Sequence, residues 1–227
     1  MKQPRQIPLD LPALSSLSRD DLVVGSANAL AVEAIDAWPD WPHPVVVIAG
    51  PPGAGKTHLA SAWSEAAEAR RWTPDDRAPP AGGVPFAVLV EDVDRVPYDE
   101  HGLFALLNAA RLGGGTVLLT SRKTAGEIDI ALPDFLSRLR AATAIALRAP
   151  DEDLLAGVVM KLAADRQIAI EPKVVAFALS RMERSFEAAV DFVRRVDRAA
   201  LAGKERIGRG LAQRILGEMA VETNPSS

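Results

Sequence analysis

Cysteine is absent from this sequence of 227 residues, which excludes disulfides and thiolate metal sites. A reducing compartment is compatible with that absence. The opening residues, Met1-Lys-Gln-Pro-Arg-Gln-Ile-Pro-Leu-Asp10, lack the apolar stretch of a secretory signal. No apolar run reaches the roughly 20 residues needed to span a bilayer. These absences point to a cytoplasmic protein without a membrane partner. An excess of positive charge is also missing: the net charge is −4 and the isoelectric point is near 5.5. Proteins that grip nucleic acid usually carry a basic balance or a clustered basic stripe. The densest basic segment here, Arg194-Arg195, Arg198, Lys204, Arg206 and Arg209, is interleaved with acids and apolar residues and reads as a solvated helix face. Contact with DNA is therefore expected only indirectly, through another protein. No internal repeats occur.

What is present is an ordinary globular composition, 48% hydrophobic and 25% charged, in a length that fits one domain plus a small second one. Residues 1–20, rich in Pro, Ser and charge, read as a flexible tail. The spacing predicts a helix over Ser26–Trp38, ended by prolines at 39, 42 and 44. A strand over Val45–Ala49 and a helix running to about Arg70 follow, then a Pro/Gly/Asp-rich loop over 73–85. Phe86–Val90 and Thr116–Thr120 are continuous apolar runs of the kind found in strands buried on both faces. Between them a helix is expected over 102–112, stopped by Gly113-Gly114-Gly115, and a short strand over Ala144–Leu147 closes the series. Strands alternating with helices imply a parallel α/β sheet over 21–149. From residue 150 the pattern is helical throughout, with helices beginning near Asp151, Pro172, Ser185 and Arg209. The second domain is therefore expected to be small and all-α over 150–220, with a frayed terminus over 221–227.

One stretch carries most of the chemistry. Gly50-Pro51-Pro52-Gly53-Ala54-Gly55-Lys56-Thr57 follows the strand at Val45–Ala49 and precedes a helical pattern opened by His58. It matches G-x-x-x-x-G-K-[ST], the P-loop that cradles nucleoside triphosphate phosphates. Its glycines let successive backbone N–H groups point inward at an anion. Lys56 can reach the β- and γ-phosphates, and the Thr57 hydroxyl can ligate Mg²⁺. Residues 50–58 form the predicted nucleotide-binding set, with ATP or ADP as ligand.

An acidic pair should end a buried strand next to the P-loop strand, because Mg²⁺ favours carboxylates or their bound waters. Glu91-Asp92, after Phe86–Val90, supplies it: Glu91 for the metal, directly or through water, and Asp92 to polarise attacking water. The usual order is Asp first, so binding is expected to be intact and hydrolysis slow. Thr120 or Ser121, ending the third strand, would orient water between phosphates and acids. Arg138 and Arg184, taken by spacing alone, are ordinary surface arginines.

Together these features resemble the AAA+ family, in the branch that holds the replication initiator DnaA. Leu22-Val23-Val24-Gly25-Ser26-Ala27-Asn28 is similar to the initiator's segment beside the adenine, making Val23 and Val24 expected base contacts. Leu136-Ser137-Arg138-Leu139 looks like the arginine-finger box, in which Arg138 would act in trans. Arg184-Ser-Phe-Glu-Ala-Ala-Val190 looks like the sensor-2 motif, with Arg184 contacting nucleotide from an all-α lid. The resemblance covers residues 20–220. The initiator carries a helix-turn-helix DNA-binding domain after its lid; a sequence ending at Ser227 is expected to lack one, like the DnaA-homologous regulators. Gln6-Ile-Pro-Leu9-Asp-Leu11 is similar to the short peptide that binds the DNA polymerase sliding clamp, through Gln6, Leu9 and Leu11. The resemblance thus implies a nucleoid-associated regulator that is carried by the clamp, stimulates DnaA's ATP hydrolysis and restrains replication initiation. Nucleotide-dependent self-association falls within its scope. The rival readings are a DnaC-type helicase loader, which the short tail and acidic balance disfavour, and an autonomous P-loop ATPase.

Overall fold

The computed structural model describes residues 17–80, 85–203 and 206–223. It divides into two compact units, residues 17–154 and, among described residues, 155–223. The first unit is an α/β unit, as expected. Its strands are β1 (Val45–Ala49), β2 (Arg70–Arg71), β3 (Phe86–Val90), β4 (Gly115–Ser121) and β5 (Thr143–Ala146). They form one parallel sheet in the order β2-β3-β4-β1-β5. Four α-helices among the described residues accompany them: α1 (Ala29–Asp36), α2 (Lys56–Ala66), α3 (Glu100–Ala109) and α4 (Pro133–Arg140).

Side chains alternate across the sheet, and the two faces make two cores. Val45, Val47, Val88, Val90, Val117 and Leu119 pack with Leu103, Leu106 and Leu107 of α3 and Phe135 and Leu139 of α4. Val46, Ile48, Leu89 and Leu118 pack on the other face with Val32 and Ile35 of α1 and Leu59 and Trp63 of α2. Because both faces are covered, β1 is buried at every residue, and each such aliphatic side chain contributes about 1.5–3 kcal/mol. The buried faces explain why these strands read as unbroken apolar runs.

Three expectations are corrected here. The strand carrying Glu91-Asp92 does not lie next to the P-loop strand: β4 stands between them, so the acids are one strand removed. The helix after the P-loop ends at Ala66 rather than near Arg70, because Glu68 adopts the left-handed conformation (φ 48°) and Arg70–Arg71 then join the sheet as β2. The predicted helix at 26–38 is confined to Ala29–Asp36, after a turn held by Asn28. α4 is an addition to the predicted series; Pro133 at its first turn presets the helical φ. α3 starts where Asp99 accepts from Gly102 N–H (3.0 Å), and a wide turn over Ala110–Gly114 leads into β4.

The second unit is all-α among its described residues. α5 (Glu152–Asp165) begins in the first unit and continues into this one, followed by α6 (Pro172–Leu179), α7 (Phe186–Gly203) and α8 (Arg209–Thr223). α8 packs against both α6 and α7. Val174, Val175, Ala178, Phe192, Val193, Val196, Leu211 and Ile215 are buried in this unit. Arg195 joins Asp191 on its own helix (2.7 Å) to Glu222 of α8 (Nη1 to Oε1, 3.1 Å).

Candidate nucleotide-binding site

The loop between β1 and α2 is built by backbone conformations that its glycines permit. Gly53 and Gly55 lie at φ 71° and 89°, the left-handed region that other residues enter at a cost. Gly55 is the residue from which α2 starts, so the first N–H groups of α2 open onto the loop. Gly50 N–H bonds to the Ser121 carbonyl (3.1 Å), which sews the loop's first residue to the end of β4. Pro51, Pro52 and Thr57 are exposed, whereas Ala54 is buried and pins the loop's centre.

Lys56 is 8% exposed. Its Nζ donates to the carbonyls of Gly50 (2.7 Å) and Pro51 (2.9 Å), so the ammonium is held on the loop it belongs to. Burial pushes it below the ordinary lysine value; Asp92 and Asp94 pull it back up, and the Arg122 charge adds to the depression. The two acids and Arg122 are thus its electrostatic neighbours. Asp92 sits at φ 49°, a left-handed conformation in which Asp is enriched. Its N–H bonds to Thr120 Oγ1 (2.9 Å), and Arg95 stands 3.5 Å from its carboxylate. Asp94 accepts from the Arg122 backbone N–H (3.0 Å), tying the turn after β3 to the turn after β4.

Glu91 is placed differently from the sequence expectation of a metal carboxylate. Its carboxylate pairs with Arg71 of β2, on the side of β3 away from β4 and β1, and its carbonyl accepts from Tyr98 (2.8 Å). Asp92 is therefore the member of the pair whose charge raises the Lys56 value. Thr120 and Ser121 are bonded differently. Ser121 Oγ is occupied by both the carbonyl (2.7 Å) and the N–H (3.0 Å) of Lys123. Thr120, 2% exposed, instead braces Asp92.

The segment ahead of α1 is a strap fixed by its own polar groups. Asn28, 5% exposed, donates to the Val23 carbonyl (2.9 Å) and accepts from Gly25 N–H (2.8 Å). Ser26 donates to Asp151 (2.6 Å), which with the Leu154 N–H holds that carboxyl below the usual range. Val23 is half-buried and Val24 is exposed. His58, expected among the nucleotide ligands, donates from Nε2 to the Ser18 carbonyl (3.0 Å) and anchors the strap on α2. Arg138 is half-buried, its Nε bonded to Asn108 of α3 (2.8 Å). Arg184 is exposed in the second unit, ahead of Ser185, whose hydroxyl accepts from Ala188 N–H (3.1 Å) and caps α7. Gln6, Leu9 and Leu11 lie outside the described residues. Sequence reasoning gave no role to Asp94, Arg122, Asn28 or Arg71. Only the first two carried a signal, as charged residues within two positions of an expected site residue.

No family model and no curated protein sequence matches this chain. Solved structures do match. Domain III of the Thermotoga maritima replication initiation protein DnaA is similar at a TM-score of 0.70 and 16% identity, over 89% of this chain and 96% of that one. AMPPCP-bound DnaA from Aquifex aeolicus is similar at 0.68 and 16%, over 92% and 72%. The Thermotoga maritima RuvB Holliday junction branch migration motor is similar at 0.70 and 16%, again over 92% of this chain and 74% of that one. Likeness at this identity establishes architecture: the chain has the AAA+ P-loop fold, a parallel α/β unit followed by an all-α unit, shared with DnaA and RuvB.

Proposed function

We propose that this chain is a nucleotide-binding AAA+ regulator of replication initiation, resembling Hda, which docks on the DNA polymerase sliding clamp and stimulates hydrolysis of DnaA-bound ATP. The observation that carries the nucleotide reading is the P-loop itself: left-handed Gly53 and Gly55, N–H groups at the start of α2 that open onto the loop, and a buried Lys56 held by the carbonyls of Gly50 and Pro51. ATP or ADP phosphates would draw Lys56 off Gly50 and Pro51 and take the loop's N–H groups. An AMPPCP-bound DnaA of the same fold supports that reading.

Mg²⁺ fits this donor set as an ion carried largely by phosphate and water. Thr57 is exposed at the start of α2, and the described residues hold no cluster of three His, Cys, Asp or Glu side chains. Bound there, Mg²⁺ would neutralise phosphate charge. Asp92, braced by Thr120, would orient water or metal-bound water, while Glu91 is withdrawn to Arg71. With one carboxylate doing the work that such sites divide between two, nucleotide is held longer than it is turned over. The bound nucleotide then sets shape and partner competence, and the hydrolysis that matters is DnaA's.

The trans role belongs to Arg138, whose Nε is tethered by Asn108 so that the guanidinium is pre-positioned. The clamp role belongs to Gln6, Leu9 and Leu11. In a reconstituted assay with DNA-loaded clamp and ATP-bound DnaA, Arg138→Ala should retain nucleotide and clamp binding yet lose stimulation of DnaA hydrolysis. Undiminished stimulation refutes the assignment. Gln6→Ala combined with Leu9→Ala should abolish clamp binding with the fold unchanged, and unaltered clamp affinity removes the docking peptide.

A further inference from the structure

The second unit differs from the rest of the chain in charge. Residues 155–227 hold 12 Lys and Arg against 9 Asp and Glu, whereas the whole chain is net negative at −4. Part of that positive charge is spent internally. Arg194 pairs with Asp191, Arg195 with Asp191 and Glu222, Arg206 with Glu171, and Arg214 with Glu218. These pairs take up Arg194, Arg195 and Arg206 of the basic run that stands out in the sequence.

Two arginines are arranged otherwise. Arg181, just after α6, and Arg209, at the start of α8, both stack on the ring of Phe177, with guanidinium carbons 4.0 and 4.5 Å from its centroid. Neither is paired with a carboxylate among the described residues. Arg181 is steadied from behind by the Phe177 carbonyl (3.2 Å) and the Ser180 hydroxyl (2.7 Å). Phe177, Arg181 and Arg209 line a groove of about 380 Å³ with Gln213, Leu216 and Gly217. Two like charges drawn to one ring repel each other, and the ring quadrupole offsets that repulsion only in part. An anion between them would offset the rest. Arg181 Nη1 is taken by the Phe177 and Ser180 oxygens, which leaves its other nitrogens and the Arg209 guanidinium to reach a phosphate, and a guanidinium plane can also stack on a base. The groove has the volume of a small-molecule site, with Leu216 as apolar floor and Gln213 as a polar handle.

We propose that the Phe177–Arg181–Arg209 groove binds the phosphate backbone of single-stranded DNA. This site is separate from the P-loop and does not depend on the reading given to that loop. It would supply a weak direct contact to strand that adds to delivery by a partner. Both arginines are exposed, so their replacement leaves the apolar packing of the unit intact.

The test is fluorescence anisotropy of an end-labelled oligothymidylate with the full chain, titrated across salt with excess ADP present to occupy the P-loop. Arg181→Ala with Arg209→Ala should weaken binding at least tenfold and lower the salt slope by about 1.4, since each single-strand phosphate contact contributes about 0.7. The double Lys variant, which keeps the charge but loses the stacked planes, should fall between wild type and double Ala. Arg194→Ala, removing a carboxylate-paired arginine, should leave binding unchanged. A double Ala variant that binds like wild type with the same salt slope overturns the proposal. So does displacement of the strand by polyglutamate at equal charge concentration, which would mark the groove as an acidic-peptide site.

Discussion

The two units of this chain encode their sites in different ways. In residues 17–154 the candidate site is made by backbone: left-handed Gly53 and Gly55, a helix starting at Lys56, and the ends of parallel strands that deliver Asp92 and Thr120. In residues 155–223 it is made by side chains alone, an aromatic ring from α6 and guanidiniums from two separate places in the sequence. A backbone-built site requires residues at fixed spacing, because each φ and each N–H has one position in the turn. A side-chain site requires only that helices pack, and its members leave no periodic trace. The first kind can be read from a sequence; the second has to be seen.

Substitutions sharpen this contrast, and the largest effect belongs to the core that lets helices present side chains at all. Phe192, fully buried in α7, should cost about 3–5 kcal/mol on replacement by Ala, read as a lower urea midpoint. Next comes the P-loop. Lys56→Ala should weaken ATP and ADP binding about a hundredfold by calorimetry, near 3 kcal/mol for a charge-assisted phosphate contact. Its thermal midpoint should hardly move, since the lost bonds join a desolvated ammonium to the loop's own carbonyls. A large loss of stability instead would make Lys56 a structural residue.

Asn28→Ala should cost about 2 kcal/mol in urea unfolding, because it strips two hydrogen bonds from a buried turn and leaves the Gly25 N–H and Val23 carbonyl unpaired. The smallest effect concerns the strap's outer tie. Arg19 donates to both oxygens of Asp36 at 2.6 Å, and this hydrogen bonding holds the Asp36 carboxyl below its ordinary 3.8. A carboxylate depressed in the folded state stabilises above its unfolded value and loses that contribution as pH falls through the folded one. Asp36→Asn should therefore cost only about 0.5 kcal/mol at neutral pH, the pair being exposed, and nothing at strongly acid pH. Urea midpoints of both forms at the two pH values check the sign; a gap that widens in acid would reverse it.

Legibility followed the same division within the α/β unit. β1, β3 and β4 were readable because strands covered on both faces become unbroken apolar runs, and the P-loop because its glycines are required by geometry. β2 was not, since Arg70-Arg71 carries no alternation and joins the sheet only after Glu68 turns the chain. Strand order was not either: spacing cannot say that β4 slips between β1 and β3. α4 buries only Phe135 and Leu139, too little apolar surface for a periodic signal. Glu91 and Asp92 part ways for a local reason. The two acids are adjacent in sequence, but the left-handed turn at Asp92 ties its N–H to Thr120 while Arg71 retains Glu91. His58 belonged to the motif by position and to the strap by geometry.

In the function proposed for this chain, the P-loop holds nucleotide as a switch rather than spending it. The direct measurement is steady-state ATP turnover by the purified chain alone, run beside nucleotide affinity from calorimetry on the same preparation. A switch should bind nucleotide stoichiometrically and turn it over well below the roughly 1 per second at the low end of ordinary enzymes. Many turnovers per second without clamp, DNA or DnaA would contradict it.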